Sequence, residues 1–203
     1  MIRGIYAVTP DILDTQLLCE LVCAVISGGA SLVQYRNKQA NHALQVQQAR
    51  ALLTICRHHQ VPLIINDSIK LCLTLGADGV HLGADDGDLV LARARLGANK
   101  ILGASCYNRF ELAQSAEQAG ADYVAFGACF ASSTKPNAPV ANLDLFNQAK
   151  KLLIPSVAIG GITLKNAPLV VEAGASALAV ISAIFSADNV ESTTQKFSQL
   201  YIS

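Results

Sequence analysis

Gly29-Ala30-Ser31-Leu32-Val33-Gln34-Tyr35-Arg36-Asn37-Lys38 carries, in ten residues, the pattern on which the rest of the chain is built. It begins with a glycine suited to the left-handed residue that ends a helix. It then passes a polar residue suited to a turn, enters a short apolar run and ends in polar donors. The opening mark returns as Gly76-Ala77-Asp78, Gly120-Ala121-Asp122 and Gly174-Ala175-Ser176, each time between a helical stretch and an apolar strand. Four copies of one helix-to-strand junction point to a chain of alternating strands and helices.

Working outward from these marks, short β-branched runs predict strands over Ile2–Val8, Leu32–Arg36, Leu63–Asn66, Gly79–Leu82, Lys100–Gly103, Tyr123–Phe126, Ser156–Ile159 and Ala177–Val180. Helices are expected over Ile12–Ser27, His42–His59, Ile69–Leu75, Asp88–Leu96, Arg109–Gln118, Leu143–Leu153, Lys165–Glu172 and Glu191–Tyr201. The 203 residues divide into eight units of about 25, enough for a strand, a crossover helix and short loops. The expected fold is therefore α/β, a single-domain (β/α)8 TIM barrel spanning residues 1–203. An open doubly wound sheet fits less well. No GxGxxG follows the first strand, and polar residues gather after many strands instead of at one switch point.

Composition agrees with strands buried on both faces: 52% of residues are hydrophobic and mean hydropathy is +0.37. Fifteen Lys and Arg balance fifteen Asp and Glu without a run of either sign, so neither nucleic acid nor an anionic membrane is implied as a partner. The amino end reads as a strand and not a signal peptide, and the apolar run from Ala177 to Phe185 is far short of the roughly 20 residues of a membrane helix. A cytoplasmic location follows, with the oligomeric state, a homo-oligomer included, left open. Six scattered cysteines read as reduced core residues, although Cys19 and Cys23 would share a helix face.

In a barrel, active residues follow the carboxyl ends of the strands. If the backbone stays extended through residue 38, Gln34, Arg36 and Lys38 share one face, which suits an anion clamp or a solvated strand end. Asn66-Asp67 follow the third strand, and Asp85-Asp86 lie beyond the fourth. Asp67 can N-cap the third helix, and Asp86 or Asp88 the fourth. Two carboxylates after adjacent strands, facing Arg36 and Lys38, equally match a Mg²⁺–phosphate site. Ser105 follows the fifth strand. Ser132, Thr134 and Lys135 sit in a loop, residues 131–139, long enough to act as a lid. Gly160-Gly161, with Ile181-Ser182, has the look of the phosphate site that barrels build after strands seven and eight, or of a plain Gly-Gly turn. His81 reads either as a packed, hydrogen-bonded strand histidine or as a catalytic one.

Taken together, Gln34-Tyr-Arg-Asn-Lys38, Asn66-Asp67, Gly79-Val-His-Leu-Gly83, Gly103-Ala-Ser105, Gly127 through Lys135, Ala158-Ile-Gly-Gly161 and Ile181-Ser182 resemble the thiamine-phosphate synthase family, over about Ile5 to Ile184. The resemblance implies a Mg²⁺-dependent transferase. It would join 4-amino-2-methyl-5-pyrimidinylmethyl diphosphate to 4-methyl-5-(2-phosphoethyl)thiazole, or its carboxylated form, giving thiamine phosphate and diphosphate. It assigns Gln34, Arg36, Lys38, Asn66, Ser105 and Lys135 to the pyrimidine diphosphate, with Arg36, Lys38, Ser105 and Lys135 as catalytic. Asp67 and Asp86 match the metal positions, and Ser132, Thr134, Gly161, Ile181 and Ser182 the thiazole-phosphate side. The chain departs from the family pattern at Ala84, where Gln is common, at Ala131-Ser132, where Pro-Thr is common, and at Ser68. Two alternatives share the barrel. A thiazole tautomerase-like isomerase would use a histidine where this chain has Tyr107, and a non-catalytic barrel would only bind phosphorylated ligands.

Overall fold

The computed structural model describes residues 2–131 and 141–201. Eight parallel strands close into a barrel in sequence order: β1 (Gly4–Val8), β2 (Ala30–Tyr35), β3 (Leu63–Asn66), β4 (Gly79–Leu82), β5 (Ile101–Tyr107), β6 (Tyr123–Phe126), β7 (Ser156–Ile159) and β8 (Ala177–Val180). Helices follow each: α1 (Thr15–Ser27), α2 (His42–His58), α3 (Ile69–Leu75), α4 (Leu89–Leu96), α5 (Phe110–Gln118), α6 (Asp144–Ala149) and α7 (Ala167–Glu172), then α8 (Ser182–Phe185) and α9 (Val190–Ser198). None of the helices in the described residues is long and apolar enough to cross a membrane.

The repeated junction works as its residue types dictate. Gly29, Gly76, Gly120 and Gly174 all have positive φ, between +71° and +108°. In two copies the acid that follows reaches back to the neighbouring strand: Asp78 Oδ2 accepts from Leu63 N at 2.8 Å and Asp122 Oδ2 from Leu102 N at 2.7 Å. Each junction thus ends a helix, and these two also pin the amino end of an adjacent strand.

Alternation along the strands separates two cores. One side packs under the helices and includes Leu18, Leu52, Val80, Phe126 and Phe146. The inward side fills the barrel with Tyr6, Leu32, Ile64, Tyr123 and Val157 among others. Burying a Leu or Ile side chain contributes roughly 1.5–3 kcal/mol, so the large helix-facing layer supplies most of the stability. The interior is then free to carry polar groups.

Several predicted bounds need correction. β2 ends at Tyr35, one residue before Arg36, because the next residues turn toward α2. β5 runs to Tyr107, four residues past Gly103, since Ser105 and Tyr107 continue the ladder with β6 across an irregularity at Cys106. α6 ends at Ala149 and not Leu153; the following residues approach Pro155, before which helical backbone is disfavoured. The short α8 lies where no helix was expected, and the last predicted helix ends as a 3-10 turn over Gln199–Tyr201.

Candidate active site

The carboxyl ends of β1, β2 and β3 form one wall. Thr9 Oγ1, fully buried, donates to Arg36 O at 2.8 Å and accepts from Arg36 N at 2.9 Å, tying the exit of β2 to that of β1. Asp11 Oδ1 accepts from Arg36 Nη1 at 3.1 Å and from Lys38 N at 2.7 Å. Asn37 shapes the turn: its Oδ1 accepts from Gln39 N and Ala40 N, while its Nδ2 donates to Ile12 O at 2.7 Å. Gln48, buried on α2, donates to Ile12 O at 2.9 Å and accepts from Tyr35 Oη and Asn37 Nδ2. One amide therefore holds the loops after β1 and β2 together.

The shared face expected for Gln34, Arg36 and Lys38 is not formed by extended backbone. Gln34 points into the barrel at 4% exposure, and Arg36 pairs with Asp11. Lys38 reaches the acids through the turn built by Asn37: its Nζ lies 3.6 Å from Asp67 Oδ2, with the two side chains 62% and 32% exposed. So exposed a pair adds little stability and leaves both charges free to meet other partners.

Neither Asp67 nor Asp86 caps a helix. Ser68 caps α3, its side chain accepting from Leu71 N, and Asp88 caps α4. Asp67 sits at φ 62° with its N–H bonded to His81 O at 2.8 Å, which leaves its carboxylate out of the helix. Asp86 Oδ2 accepts from Gly83 N at 2.7 Å. Burial, and then the neighbouring Asp86, push the Asp67 carboxyl above the usual range, with Lys38 opposing them. Two mutually repelling hard-oxygen groups beside a cleft are a donor set that fits Mg²⁺. That cleft, about 340 Å³, is lined by Arg36, Lys38, Gln45, Asn66, Asp67 and Ser68 among others.

Beneath this rim a polar chain crosses the barrel. Gln34 Nε2 donates to Tyr6 Oη at 2.7 Å, and Tyr6 Oη lies 2.7 Å from Tyr123 Oη. Tyr123 Oη is 3.0 Å from His81 Nδ1, and His81 Nε2 is 2.8 Å from Ser105 Oγ. His81 is thus the packed, bonded histidine. Burial pulls its pKa down to about 4 against a weak opposing pull from Asp86, so the ring is neutral at pH 7. Burial likewise raises both phenols. Gly103 makes this possible, because a methyl group there would overlap the Tyr123 ring.

At the far wall, Gly160 and Gly161 have φ of 98° and 64° and lie against the backbone of residues 128–131, where a Cβ on either would collide. Phe130 N donates to Gly160 O at 3.0 Å. Packing alone thus requires both glycines. Ile181 faces the interior and Ser182 opens α8. Ser132, Thr134 and Lys135, with all of the expected lid past Ala131, lie outside the described residues. Sequence reasoning missed Asp11, Tyr6 and Tyr123. Asp11 follows the first strand just as the recognised residues follow theirs, and that rule could have found it.

A family model described as thiamine monophosphate synthase matches residues 5–184. The chain is 55% identical over 200 residues to thiamine-phosphate synthase of Methylobacillus flagellatus, covering 98% of this chain and 96% of that one. It is 52% identical over 188 residues to the Chromobacterium violaceum enzyme of the same name, covering 93% and 91%. Among solved structures, thiamine phosphate pyrophosphorylase from Pyrococcus furiosus superposes with a TM-score of 0.87 at 32% identity, covering 98% of this chain and 95% of that one.

Proposed function

The chain belongs to the thiamine monophosphate synthase family, and we propose that the rim and interior residues described above carry that family's reaction. It is a transferase that joins a pyrimidine to a thiazole moiety to give thiamine phosphate. The observation that carries the site assignment is the meeting of Lys38 with Asp67 in the cleft that Arg36 also lines, with Asp86 next to Asp67, after three successive strands.

In the proposed reaction the C–O bond between the pyrimidinyl methylene and diphosphate breaks, diphosphate leaving with the electron pair. The amino-substituted ring spreads the positive charge, and the thiazole nitrogen supplies the pair for the new C–N bond. No enzyme nucleophile is needed; the protein's task is to stabilise negative charge on the leaving group. Arg36, held by Asp11, and Lys38 point cationic donors at that group, with Lys135 as a third. Asp67 and Asp86 would hold Mg²⁺, which neutralises diphosphate charge when bound. Gln34, Asn66 and Ser105 face inward from β2, β3 and β5 and orient the pyrimidine. Ser132, Thr134, Gly161, Ile181 and Ser182 take the thiazole phosphate. A cytoplasmic location fits the six free cysteines.

The test is to incubate the protein with both substrates and Mg²⁺ and oxidise the product to fluorescent thiochrome. A signal that EDTA abolishes is expected. No signal with intact, folded protein would overturn the assignment, and an EDTA-resistant one would remove Mg²⁺ from it.

A further inference from the structure

The interior chain has a direction. A phenol owns one hydrogen and a neutral imidazole one N–H, so each member can donate only once. With the Gln34 amide as donor, Tyr6 receives from it and gives its hydrogen to Tyr123. Tyr123 in turn gives its hydrogen to His81 Nδ1, which puts the single ring hydrogen on Nε2, facing Ser105 Oγ. Ser105, already an acceptor, then turns its own hydrogen toward the cavity. At the opposite end, the N–H that Gln34 gives to Tyr6 fixes the orientation of its amide, and the carbonyl oxygen, which takes no part in the chain, is offered as an acceptor beside the remaining N–H.

We infer that Tyr6, Tyr123 and His81 are positioning residues, a relay that presents Ser105 to the substrate as a hydrogen-bond donor and Gln34 as an acceptor. This rests on the reading of the site as one for an aminopyrimidine. Such a ring carries an exocyclic amino donor beside ring-nitrogen acceptors, the complement of an acceptor and a donor held on opposite walls.

A purely structural role explains the arrangement less well. Leu32, Ile64 and Val157 fill the same interior without polar atoms, and buried hydroxyls cost free energy unless paired. Every buried side-chain nitrogen and oxygen among the described residues does have a partner. This chain, however, ends at both sides on residues assigned to the ligand and not on backbone. Tyr6 and Tyr123 are also joined across 117 residues, through the space that Gly103 leaves open.

The test reads the His81 tautomer by nitrogen-15 NMR in the full, ligand-free chain, together with steady-state kinetics. The wild type is expected to carry its hydrogen on Nε2, and Tyr123→Phe to lose that signature. Tyr6→Phe and Tyr123→Phe are each expected to raise KM for the pyrimidine diphosphate at least tenfold while KM for the thiazole phosphate stays within twofold. Tyr201→Phe, which removes a hydroxyl bonded to Ala175 O near the opposite end of β8, should change neither. If Tyr123→Phe does not fold, Tyr6→Phe and the wild-type tautomer decide. A wild-type hydrogen on Nδ1, or unchanged kinetics in the folded Phe variants, overturns the relay. A wild type that makes no thiamine phosphate sinks the functional reading instead, and the tautomer remains measurable.

Discussion

Inside the barrel, Tyr6 and Tyr123 are at most 1% exposed and their hydroxyls are bonded at 2.7–3.0 Å, whereas at the rim Lys38 is 62% exposed and meets Asp67 at 3.6 Å. The interior is neutral and fully paired. The rim gathers charge, with Asp67 and Asp86 repelling each other, Arg36 paired with Asp11 and Lys38 held only at long range by Asp67. The contrast follows from desolvation. Buried polar groups must satisfy one another, so they set orientation; half-exposed charges keep water and so remain available to a charged ligand. Orientation is thus built below the mouth and charge is recruited at it.

The sharpest way to break this division is to remove a rim cation. Arg36→Ala is expected to cut turnover by two orders of magnitude or more, equivalent to about 2.7–4 kcal/mol for one preorganised donor, with the circular dichroism spectrum unchanged. Near-normal turnover would show that the rim does not stabilise the leaving group. The interior is probed by acid. An unfolded histidine takes up its proton near pH 6.5, but His81 in the fold resists until about pH 4. The unfolded state therefore binds more protons in that window, and stability falls with falling pH by about 3 kcal/mol. Urea titrations at pH 7 and 4.5 should show the loss, and His81→Asn should flatten it.

The metal tests the rim again. Mg²⁺ at a hundredfold excess over its Kd should stabilise the protein by about 2.7 kcal/mol, read as a Tm rise that EDTA reverses and Asp67→Asn abolishes. The smallest effect has the opposite sign. Because the folded state raises the Asp67 pKa, charging this group costs stability as pH climbs through that value. Metal-free Asp67→Asn should therefore melt slightly higher than wild type at pH 7, by under about 1 kcal/mol. A lower melting point would mean that Lys38 outweighs Asp86.

The fold was legible because its signals are local. The Gly-Ala-Asp and Gly-Ala-Ser marks place four junctions, and β3, β4, β6, β7 and β8 have the bounds that their apolar runs predict. What failed was extrapolation beyond an element. Extended backbone past Tyr35 is the simplest continuation of the strand, whereas the Asn37 side chain closes a turn there. By residue type and adjacency Asp67 can cap α3, but its neighbour Ser68 takes the position. The relay was invisible for another reason. Tyr6 and Tyr123 read as ordinary strand aromatics, and only barrel closure brings their hydroxyls together. Gly103 stands in the sequence only as part of a motif, and the ring that needs its missing methyl lies on the next strand.

Gln48 has a consequence for how such a chain can change over evolutionary time. Its single carboxamide grips the backbone of the loop after β1 at Ile12 and Leu13, and the side chain of Asn37 in the loop after β2. An insertion or deletion in either loop would slide one partner off the amide and strand a buried polar group, a loss of about 1–3 kcal/mol before any effect on catalysis. The lengths of these two loops are therefore locked to each other and to the register of α2. Grafted loops or circular permutation should succeed elsewhere on the barrel first, and these two connections should be engineered only as a matched pair.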